Sequence, residues 1–495
     1  MTLEPTSCYR ALSARDPRFD GVFFVGVTTT GIYCRPVCRA RLPGADRCRF
    51  FPSAAAAEAA GFRPCLRCRP ERAPGRSVVD ATARVARGAA ALIAAGVLND
   101  GSLEDLAARL HTSPRQLRRA VRREYGAGPV ELAQTHRLLL AKRLLTDSEL
   151  PIAAVAFASG FASLRRFNAL FRARYRMSPT QLRRSRPGHG APTPDVFRLA
   201  LDYRPPLDWE ALLAYLGARA VPGVEVVEGG CYLRTVALGE HRGWVAVTPA
   251  LGAANALQVE ASLSLAPALM PLLARLRTLF DLDAEPEAIA THLAADPRLA
   301  PRVRRRPGLR VPGALDGFEL ALRAVLGQQV SVRAATTLAG HVADAFGEPA
   351  ETPHPALGRF PVSAARLAEA APEQIAALGV TRARAACIVA LARAVADGSL
   401  RLEPGADVEE TLARLQALPG IGPWTAQYVA LRALHWPDAF PDGDLGLRRA
   451  LGGLTPAALR QVAEAWRPWR AYAALHLWQS LSDAPYSIPS AEEVA

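Results

Sequence analysis

Residues 418–428 read LPGIGPWTAQY, a stretch that predicts two helices joined by a glycine-rich hairpin. Gly420 and Gly422 allow a tight turn with backbone amides exposed at the start of the second helix. Amides in that position bind phosphate without reading base sequence. The stretch therefore indicates contact with a nucleic-acid backbone, although a plain helical hairpin would share so short a pattern.

Several segments on either side of the hairpin extend this pattern. They are LGQQVSV at 326–332, FPDGDLGLRR at 440–449, WRPWRAY at 466–472 and LHLW at 475–478. With the hairpin they resemble the helix-hairpin-helix DNA glycosylases, and specifically the AlkA type, 3-methyladenine DNA glycosylase II. The resemblance spans roughly residues 194–482 and implies an enzyme that extrudes a damaged base from the duplex and excises it.

The resemblance gives individual residues a role in the reaction. By register from the hairpin, Asp444 takes the place of the catalytic carboxylate, and Asp442 is the alternative. A carboxylate there would stabilise the positive charge that develops on the sugar as the glycosidic bond breaks. Bifunctional relatives carry a catalytic lysine after the hairpin glycines, whereas this chain has no lysine after Lys142. We therefore expect a hydrolytic, monofunctional glycosylase.

A base pocket and a wedge loop are implied by the same resemblance. Trp424, Tyr428 and Trp478 match aromatic pocket positions, where cation–π stacking would favour an alkylated purine by about 0.5–2 kcal/mol. Taken singly, each of the three would more often be a core residue. Gln329 matches the position of a leucine wedge, and Leu445 replaces an aromatic residue of the best-known relative, so the range of lesions is left open.

Two close pairs of cysteines lie near the N-terminus. The spacing is Cys34-x3-Cys38 and Cys65-x2-Cys68, which can supply four thiolates to one tetrahedral zinc ion. Disulfides are the rival interpretation, but they are rare in the reducing cytoplasm. Spacing alone favours a structural zinc site with no chemistry of its own.

The residues around these cysteines are more informative than their spacing. TTTGIYCRPVCRAR at 28–41 and GFRPCLRC at 61–68 resemble the N-terminal domain of the Ada family of methyl acceptors and response regulators. In that family the first cysteine of the CRPxC motif, here Cys34, accepts a methyl group from a DNA methyl phosphotriester. The Pro-Cys-His-Arg motif of the second Ada methyltransferase domain does not occur in the sequence, so we do not expect repair of O-alkylated guanine.

Three arginines flank the cysteine motifs. They are Arg39, Arg41 and Arg63, and we expect them to contact phosphate, with a solvated arginine surface as the alternative.

The middle of the chain contains an internal repeat. Apolar residues four apart recur at a fixed offset, which places Leu117 and Val121 in register with Phe167 and Phe171. Each copy reads as a short helix, a turn and a basic helix, as in a helix-turn-helix unit whose second helix enters the major groove. One such unit would be weak evidence, because helical hairpins are common. Two copies in register resemble the tandem AraC-type domain of the Ada family.

Arginines crowd both candidate recognition helices. They are Arg115, Arg118, Arg119, Arg122 and Arg123 in the first helix, and Arg165, Arg166, Arg172 and Arg174 in the second. Of these we expect Arg115, Arg118, Arg119, Arg165 and Arg166 to contact DNA.

Positive charge is concentrated in the front of the chain. The formal net charge is +14, and residues 1–190 contain 32 Lys+Arg against 14 Asp+Glu. Such a block suggests a nucleic-acid partner, although a solvated arginine-rich surface would look similar. No window approaches 18 uninterrupted apolar residues and the N-terminus lacks a signal-peptide pattern, so we expect no membrane contact and a cytoplasmic, nucleoid-associated bacterial protein.

The sequence predicts a multidomain α+β chain with four parts. They are a small zinc-bound α/β domain at 1–76, an all-α tandem helix-turn-helix domain at 77–186, a small α+β subdomain at 194–268 and an all-α helix-hairpin-helix glycosylase domain at 269–490. Residues 69–76 and 184–192 have linker composition. The subdomain should contain strands at 196–203, 224–227, 231–238 and 244–247 and a helix at 209–219.

The function predicted from these parts is that of a fused Ada–AlkA protein, which senses methylation, activates transcription and excises alkylated bases. One zinc ion is the expected cofactor. The expected partners are double-stranded DNA, at promoters and at alkylated sites, and RNA polymerase, and the chain should act as a monomer. The alternative is a zinc-stabilised transcription factor whose C-terminal part binds damaged DNA without excising a base.

Overall fold

The computed structural model describes residues 4–74, 84–148, 150–184, 195–252 and 255–482. We name four successive parts by their residues: the cysteine module (4–74), the tandem-helix module (84–184), the sheet module (195–268) and the helical module (269–482). The mixed α+β architecture agrees with the prediction. The predicted linker at 184–192 lies outside the described residues beyond its first position.

The cysteine module is a four-stranded sheet with two helices. Its elements are α1 (Pro5–Ala14), β1 (Phe24–Val27), β2 (Ile32–Cys34), β3 (Cys48–Phe51), α2 (Ala54–Ala59) and β4 (Arg63–Pro64). The sheet order is β3-β1-β2-β4. The β1–β2 hairpin turns at Gly31, whose φ of 64° is in the left-handed region that glycine adopts without strain. The parallel pairing of β2 with β4 brings the two cysteine pairs, which follow these strands, side by side.

The tandem-helix module consists of eight helices among its described residues. They are α3 (Arg84–Ala94), α4 (Val97–Asp100), α5 (Leu103–Arg109), α6 (Pro114–Tyr125), α7 (Pro129–Asp147), α8 (Ile152–Ala158), α9 (Leu164–Tyr175) and α10 (Pro179–Arg184). Ser113 caps α6 and Ser163 caps α9, each by accepting from the amide three residues on. The predicted repeat is confirmed, because the equivalent residues Val121 and Phe171 are both fully buried.

The sheet module is a five-stranded antiparallel sheet of order β5-β9-β8-β7-β6. Its elements are β5 (Val196–Asp202), α11 (Trp209–Gly217), β6 (Glu225–Glu228), β7 (Cys231–Leu238), β8 (His241–Pro249) and β9 (Ala256–Ser262), followed by a 3-10 turn (Leu263–Ala268). The four predicted strands and the helix are present. The fifth strand, β9, was not predicted, because its alternating buried residues are interleaved with Gln, Glu and Ser, which have weak strand preference.

The helical module is helical up to Ser482, as predicted, and residues 483–490 of the predicted domain lie outside the described residues. Its helices are α12 (Leu269–Leu279), α13 (Pro286–Leu293), α14 (Ala300–Arg305), α15 (Gly317–Leu326), α16 (Val332–Phe346), α17 (Ala364–Ala368), α18 (Pro372–Ala376), α19 (Arg382–Ala396), α20 (Val408–Ala417), α21 (Pro423–Arg432), α22 (Leu445–Ala450), α23 (Pro456–Ala463) and α24 (Arg470–Ser482). The glycine-rich hairpin joins α20 to α21. No helix of the described residues is long and apolar enough to cross a membrane.

Helix α7 packs into three hydrophobic cores at once. Leu132 lies in the core of the first helix-turn-helix copy, and Leu139 lies in the aromatic core of the cysteine module. Leu144 belongs to a third core, which continues through the sheet module into α12. The 19 residues of α7 span about 28 Å at the rise of an α-helix, which is long enough to reach all three. The modules therefore share buried surface instead of being joined only by the chain.

The segment at 69–76, predicted as a linker, is docked as far as it is described. Glu71, in the 3-10 turn Pro70–Arg72, forms an ion pair of 2.6 Å with Lys142 of α7, and both side chains are 1% exposed. Arg72 pairs with Asp202 of the sheet module at 2.6 Å. The linker prediction was wrong here because Pro- and Arg-rich composition does not reveal charges that are paired across modules; Gly75 and Arg76 lie outside the described residues.

Candidate functional site: a four-cysteine centre and an aspartate between two tryptophans

Four cysteine sulfurs converge at one edge of the cysteine module. Cys34 ends β2 and Cys38 lies in the turn that follows, while Cys65 and Cys68 follow β4. The four sulfur atoms all lie within 4.8 Å of one another. The amide of Cys65 donates to the carbonyl of Tyr33 at 3.0 Å, so the strand pairing continues up to the second cysteine pair.

This arrangement fits a tetrahedral zinc ion. Zn–S bonds of about 2.3 Å place the sulfurs of a tetrahedron roughly 3.8 Å apart, which is compatible with the observed cluster. Cys34, Cys38 and Cys65 are buried and Cys68 is half-buried. Thiolates are ligands that zinc prefers, and the shielded position limits competition from water.

Backbone N–H groups distinguish the four sulfurs. The amide of Arg35 donates to Cys68 Sγ and the amide of Arg67 donates to Cys65 Sγ, each at 3.4 Å. Among the described residues, Cys34 Sγ receives no such bond. Hydrogen bonding from a backbone N–H stabilises a thiolate, so Cys65 and Cys68 have a stabilising contact that Cys34 lacks among the described residues.

Arg35 anchors the loop immediately after Cys34. It is 7% exposed, and its guanidinium forms ion pairs with Asp20 and with Asp202 of β5, the latter at 2.8 Å. It also donates to the carbonyl oxygen of Cys68 at 3.3 Å. The sheet module thus supplies a carboxylate to the surroundings of the cysteine centre, a contact that sequence reasoning missed because Asp202 is distant in the chain.

The arginines predicted to meet phosphate lie around this centre. Arg39 and Arg41 are exposed and Arg63 is half-buried, and none of them forms an ion pair within the described part of the chain. Arg67 was missed, although it stands inside the second cysteine motif, and it is also exposed. The positive side chains needed to approach a phosphate are therefore available next to Cys34.

The recognition helices present most of their predicted arginines to solvent. Exposed side chains are Arg115, Arg118, Arg119, Arg122 and Arg123 on α6, and Arg165, Arg166 and Arg172 on α9. Arg174 differs, because it is half-buried and donates to the carbonyl of Glu58 in the cysteine module at 3.1 Å. The end of α9 therefore faces protein at this residue.

The hairpin between α20 and α21 exposes two glycines. Gly420 has a φ of 90°, and Gly422 is the residue before α21, so the first amides of that helix face outward. Gln328 Nε2 donates to the carbonyl of Gly420 at 2.8 Å and ties the loop between α15 and α16 to the hairpin. Gln329, next in that loop, is exposed and has a positive φ of 55°.

Asp444 is held between two indole rings. Its Oδ2 accepts from Trp424 Nε1 and its Oδ1 from Trp478 Nε1, both at 2.9 Å. As the residue capping α22, it also accepts from the amide of Leu447 at 2.9 Å. Three N–H donors fix the orientation of the carboxylate. Asp442, the alternative, pairs instead with Arg460 at 2.5 Å and does not contact the tryptophans.

The aromatic residues predicted for the pocket are brought together. Trp424 and Tyr428 stack with ring centres 5.3 Å apart and an angle of 8° between planes. Trp478 of α24 joins this group, because its indole N–H donates a hydrogen bond to Asp444. Gly446 was missed: a Cβ there would lie 3.0 Å from Asp444 Oδ1 and 3.3 Å from Trp478, so a side chain at this position would press on both groups.

Comparison with known proteins connects these features. Four family models match consecutive ranges, described as "Metal binding domain of Ada" (7–71), "Helix-turn-helix domain" (106–185), "AlkA N-terminal domain" (198–316) and "HhH-GPD superfamily base excision DNA repair protein" (322–468). The Mycobacterium tuberculosis protein named "probable bifunctional transcriptional activator/DNA repair enzyme AlkA" is 43% identical over 495 residues, covering 99% of each chain. The chain belongs to this bifunctional AlkA family. The Ada match contains all four clustered cysteines, so the protein holds one zinc ion there.

Two further relatives correspond to separate parts of this chain. DNA-3-methyladenine glycosylase 2 of Escherichia coli is 41% identical over 278 residues, which is 56% of this chain and 95% of that protein. The bifunctional transcriptional activator/DNA repair enzyme Ada of Escherichia coli is 52% identical over 65 residues, which is 13% of this chain and 18% of that protein. The helix-turn-helix and base-excision matches make the chain a DNA-binding protein.

Proposed function

We propose that this protein carries out two repair reactions on DNA and links one of them to transcription. The glycosylase reaction is supported by the position of the Asp444 carboxylate between the indoles of Trp424 and Trp478, beside the Trp424–Tyr428 stack. The methyl transfer is supported by Cys34, whose sulfur stands in the zinc set without a backbone N–H partner among the described residues.

The glycosylase substrate is an alkylated purine such as 3-methyladenine. A purine methylated on N3 is cationic, and after extrusion it stacks against the electron-rich rings of the pocket. As the C1′–N bond breaks, its electron pair leaves with the base, and Asp444 stabilises the cationic sugar and orients the water that attacks C1′. Lys142, the only lysine, is 1% exposed and paired with Glu71, which supports hydrolysis without a Schiff-base step.

The methyl acceptor is Cys34. Zinc, when bound, keeps the four sulfurs as thiolates at neutral pH. Cys34 Sγ attacks the methyl carbon of a methyl phosphotriester, the S–C bond forms, the C–O bond breaks, and the phosphate leaves as an anionic diester. The resulting thioether is uncharged, so the centre becomes less negative by one charge and repels backbone phosphate less. The transfer is irreversible and raises affinity for promoter DNA.

Several sets of residues are proposed to hold the DNA. The phosphate contacts near the zinc centre are Arg39, Arg41 and Arg63, the major-groove contacts are Arg115, Arg118, Arg119, Arg165 and Arg166, and the glycosylase contacts are Gly420, Gly422 and the wedge residue Gln329. We propose that the chain acts as a monomer on nucleoid DNA and that the promoter-bound, methylated form recruits RNA polymerase.

The test of the glycosylase assignment is release of 3-methyladenine from methylated duplex DNA. Asp444→Asn should lower the single-turnover rate by at least about 1,000-fold while DNA binding is retained, and Asp442→Asn serves as the matched control with little change. A large loss in Asp442→Asn with full activity in Asp444→Asn would reverse the assignment of the two carboxylates.

The test of the methyl-acceptor assignment is peptide mass spectrometry after incubation with DNA that carries methyl phosphotriesters. We expect one added methyl group on Cys34, and none on this peptide in Cys34→Ser. Methylation of Cys38, Cys65 or Cys68 instead would refute the assignment.

The alternative is a transcription factor whose C-terminal part binds damaged DNA without excising a base. Its support is that the arginine-rich recognition helices need no enzyme to act. Absence of base release by the wild-type protein at saturating concentration would favour it.

A further inference from the structure

Two tyrosines from different modules join their hydroxyl groups beside the Trp424 stack. Tyr215 comes from α11 of the sheet module and Tyr428 from α21 of the helical module, and their oxygens are 3.2 Å apart. Tyr428 stacks on Trp424, whose indole is bonded to Asp444. The pair therefore borders the proposed base pocket, although only Tyr428 was predicted from the sequence.

Arg432 fixes the two hydroxyl groups. One of its nitrogens, Nη1, donates to Tyr428 Oη at 2.9 Å and to Tyr215 Oη at 3.0 Å. The remaining nitrogens of the guanidinium donate to the backbone carbonyls of Pro312 and Gly313, and the residue is 5% exposed. Because every side of the guanidinium is held, the hydroxyl pair has a defined position.

The hydrogen bonds among Tyr215, Tyr428 and Arg432 leave one tyrosine O–H without an acceptor inside this group. Each hydroxyl oxygen accepts from Arg432, and one tyrosine donates to the other, so the neutral pair has one O–H that can donate to a third group. If the pair loses one proton, the remaining O–H lies between the two oxygens. The pair then offers only lone pairs to its surroundings.

The charges around the pair make this change accessible near neutral pH. Burial is the largest single effect and raises the pKa of Tyr428, but the positive charges of Arg432, Arg219 and Arg323 and the hydrogen bond with Tyr215 together bring that pKa down to about 7. Burial raises the pKa of Tyr215, so Tyr428 is the group that ionises. The guanidinium of Arg219 lies 3.8 Å from the centre of the Tyr215 ring.

Charged groups from several elements surround the tyrosine pair. Among the described residues they include Arg432 of α21, Arg219 just after α11 and Arg323 of α15, with Glu225 of β6 acting on Arg323 and Asp444 hydrogen-bonded to the Trp424 indole. Arg323 Nη1 is buried and has no acceptor within the described residues. The inner side of the pocket is therefore strongly positive while both tyrosines are neutral.

We propose that Tyr215 and Tyr428 read the edge of the extruded purine at its 6-position, a proposal that rests on the glycosylase function proposed above. The neutral pair donates its spare O–H to the 6-carbonyl of a guanine-type base. The ionised pair accepts from the 6-amino group of an adenine-type base. The same pocket thus changes its preference between alkylated purines according to the protonation of two hydroxyl groups.

The experiment measures two bases of equal charge in one sample. Duplex DNA methylated to carry 3-methyladenine and 3-methylguanine is incubated with the full-length protein from pH 6 to pH 8, and released bases are quantified by chromatography, with spontaneous release subtracted. We expect the ratio of initial rates, 3-methyladenine over 3-methylguanine, to rise with pH by up to about 100-fold, which is the change in the ratio of ionised to neutral pair over two pH units. The contribution of Asp444 is common to both bases and cancels in the ratio.

Three variants separate the hydroxyl pair from the rest of the pocket. Tyr428→Phe keeps the ring that stacks on Trp424 and should give a ratio that does not vary with pH. Tyr215→Phe removes a hydrogen bond that lowers the pKa of Tyr428 and should move the midpoint of the ratio to higher pH. Tyr203→Phe alters a half-buried tyrosine at the end of β5, outside the pocket, and should follow the wild type.

The outcomes distinguish the role of the hydroxyl pair from the glycosylase proposal on which it rests. Release of both bases at a ratio that is constant with pH, or a midpoint unmoved in Tyr215→Phe, overturns the role of the hydroxyl pair and leaves the glycosylase proposal standing. Absence of any release by the wild-type protein overturns the glycosylase proposal and this one with it. If Tyr428→Phe is inactive, the midpoint in Tyr215→Phe decides.

Discussion

The hydrogen bonds around Asp444 predict how two substitutions differ. Asp444→Asn removes the negative charge, whereas Trp424→Phe keeps the charge and the stacked ring but removes one indole N–H. A carboxylate about 4 Å from a cationic sugar contributes about 4 kcal/mol at an effective dielectric constant near 20. Loss of that term corresponds to a rate lower by about 1,000-fold.

The hydrogen bond from the Trp424 indole contributes less to the rate of base release than the charge of Asp444 does. A hydrogen bond to a charged group contributes about 1.5–3 kcal/mol, and part of it is recovered because the carboxylate keeps its bonds to Trp478 and to the amide of Leu447. We therefore expect Trp424→Phe to lower the rate of base release by about 10-fold, through poorer orientation of Asp444.

The double variant Asp444→Asn, Trp424→Phe tests whether the two side chains act together. In Asp444→Asn, the amide group placed where Oδ2 stands would direct its own N–H groups at Trp424 Nε1, which is also a donor. Trp424→Phe removes that conflict. The two losses should therefore not multiply, and the double variant should be no slower than Asp444→Asn alone, a coupling expected for residues in direct contact.

The measurement is single-turnover release of 3-methyladenine from methylated duplex DNA at saturating protein. Trp436→Phe is the matched control, because it changes a half-buried tryptophan that does not contact Asp444. Equal losses in Asp444→Asn and Trp424→Phe, or a double variant as slow as the product of the two, would refute this description of the site.

Three further outcomes are expected. Burial raises the pKa of Glu58 to about 7, above an ordinary value of 4.5, so its contribution to stability is complete below pH 4.5 and is lost as pH rises through 7, by about 3 kcal/mol. In urea unfolding, Glu58→Gln should flatten this decline of the unfolding free energy with pH, and an equally steep decline in the variant would contradict the prediction. Asp202→Asn deprives buried Arg35 of a carboxylate and should lower the free energy of unfolding by about 3–5 kcal/mol, while zinc content measured by atomic absorption stays at that of the wild type. Gly446→Val should displace the Asp444 carboxylate and slow base release by about 100-fold. Gly443→Val is the control, because its Cβ would meet nothing within 4 Å, and it should release bases at close to the wild-type rate; equal effects of the two variants would argue against a steric cause.

Local patterns in the sequence predicted the parts of this protein that depend on spacing along the chain. Cys34 and Cys38 are four residues apart, and the turn between them needs no distant partner to be recognised. The same is true of the helix faces that carry Val121 and Phe171, and of the hairpin before α21. Each of these features is repeated or flanked by distinctive residues, so short-range periodicity was sufficient.

The contacts that sequence reasoning missed join residues far apart in the chain. Tyr215 lies in a helix that was predicted without any role for its side chains, and nothing near it in sequence indicated that its hydroxyl meets Tyr428. Asp202 ends a strand of ordinary appearance, and its role beside Arg35 depends on how two modules pack. Such contacts follow from tertiary packing, which periodicity and composition do not specify.

The buried position of Lys142 has a practical consequence. It is the only lysine in the sequence, and its ammonium group donates to Glu71 at 2.6 Å and to the carbonyl of Cys65 at 3.3 Å. An acylating reagent can therefore modify a single lysine ε-amine, and only after the cysteine module has separated from α7 at this point. The rate of that modification is a built-in measure of how often the two modules part, and it can be followed before and after methyl transfer without attaching a probe.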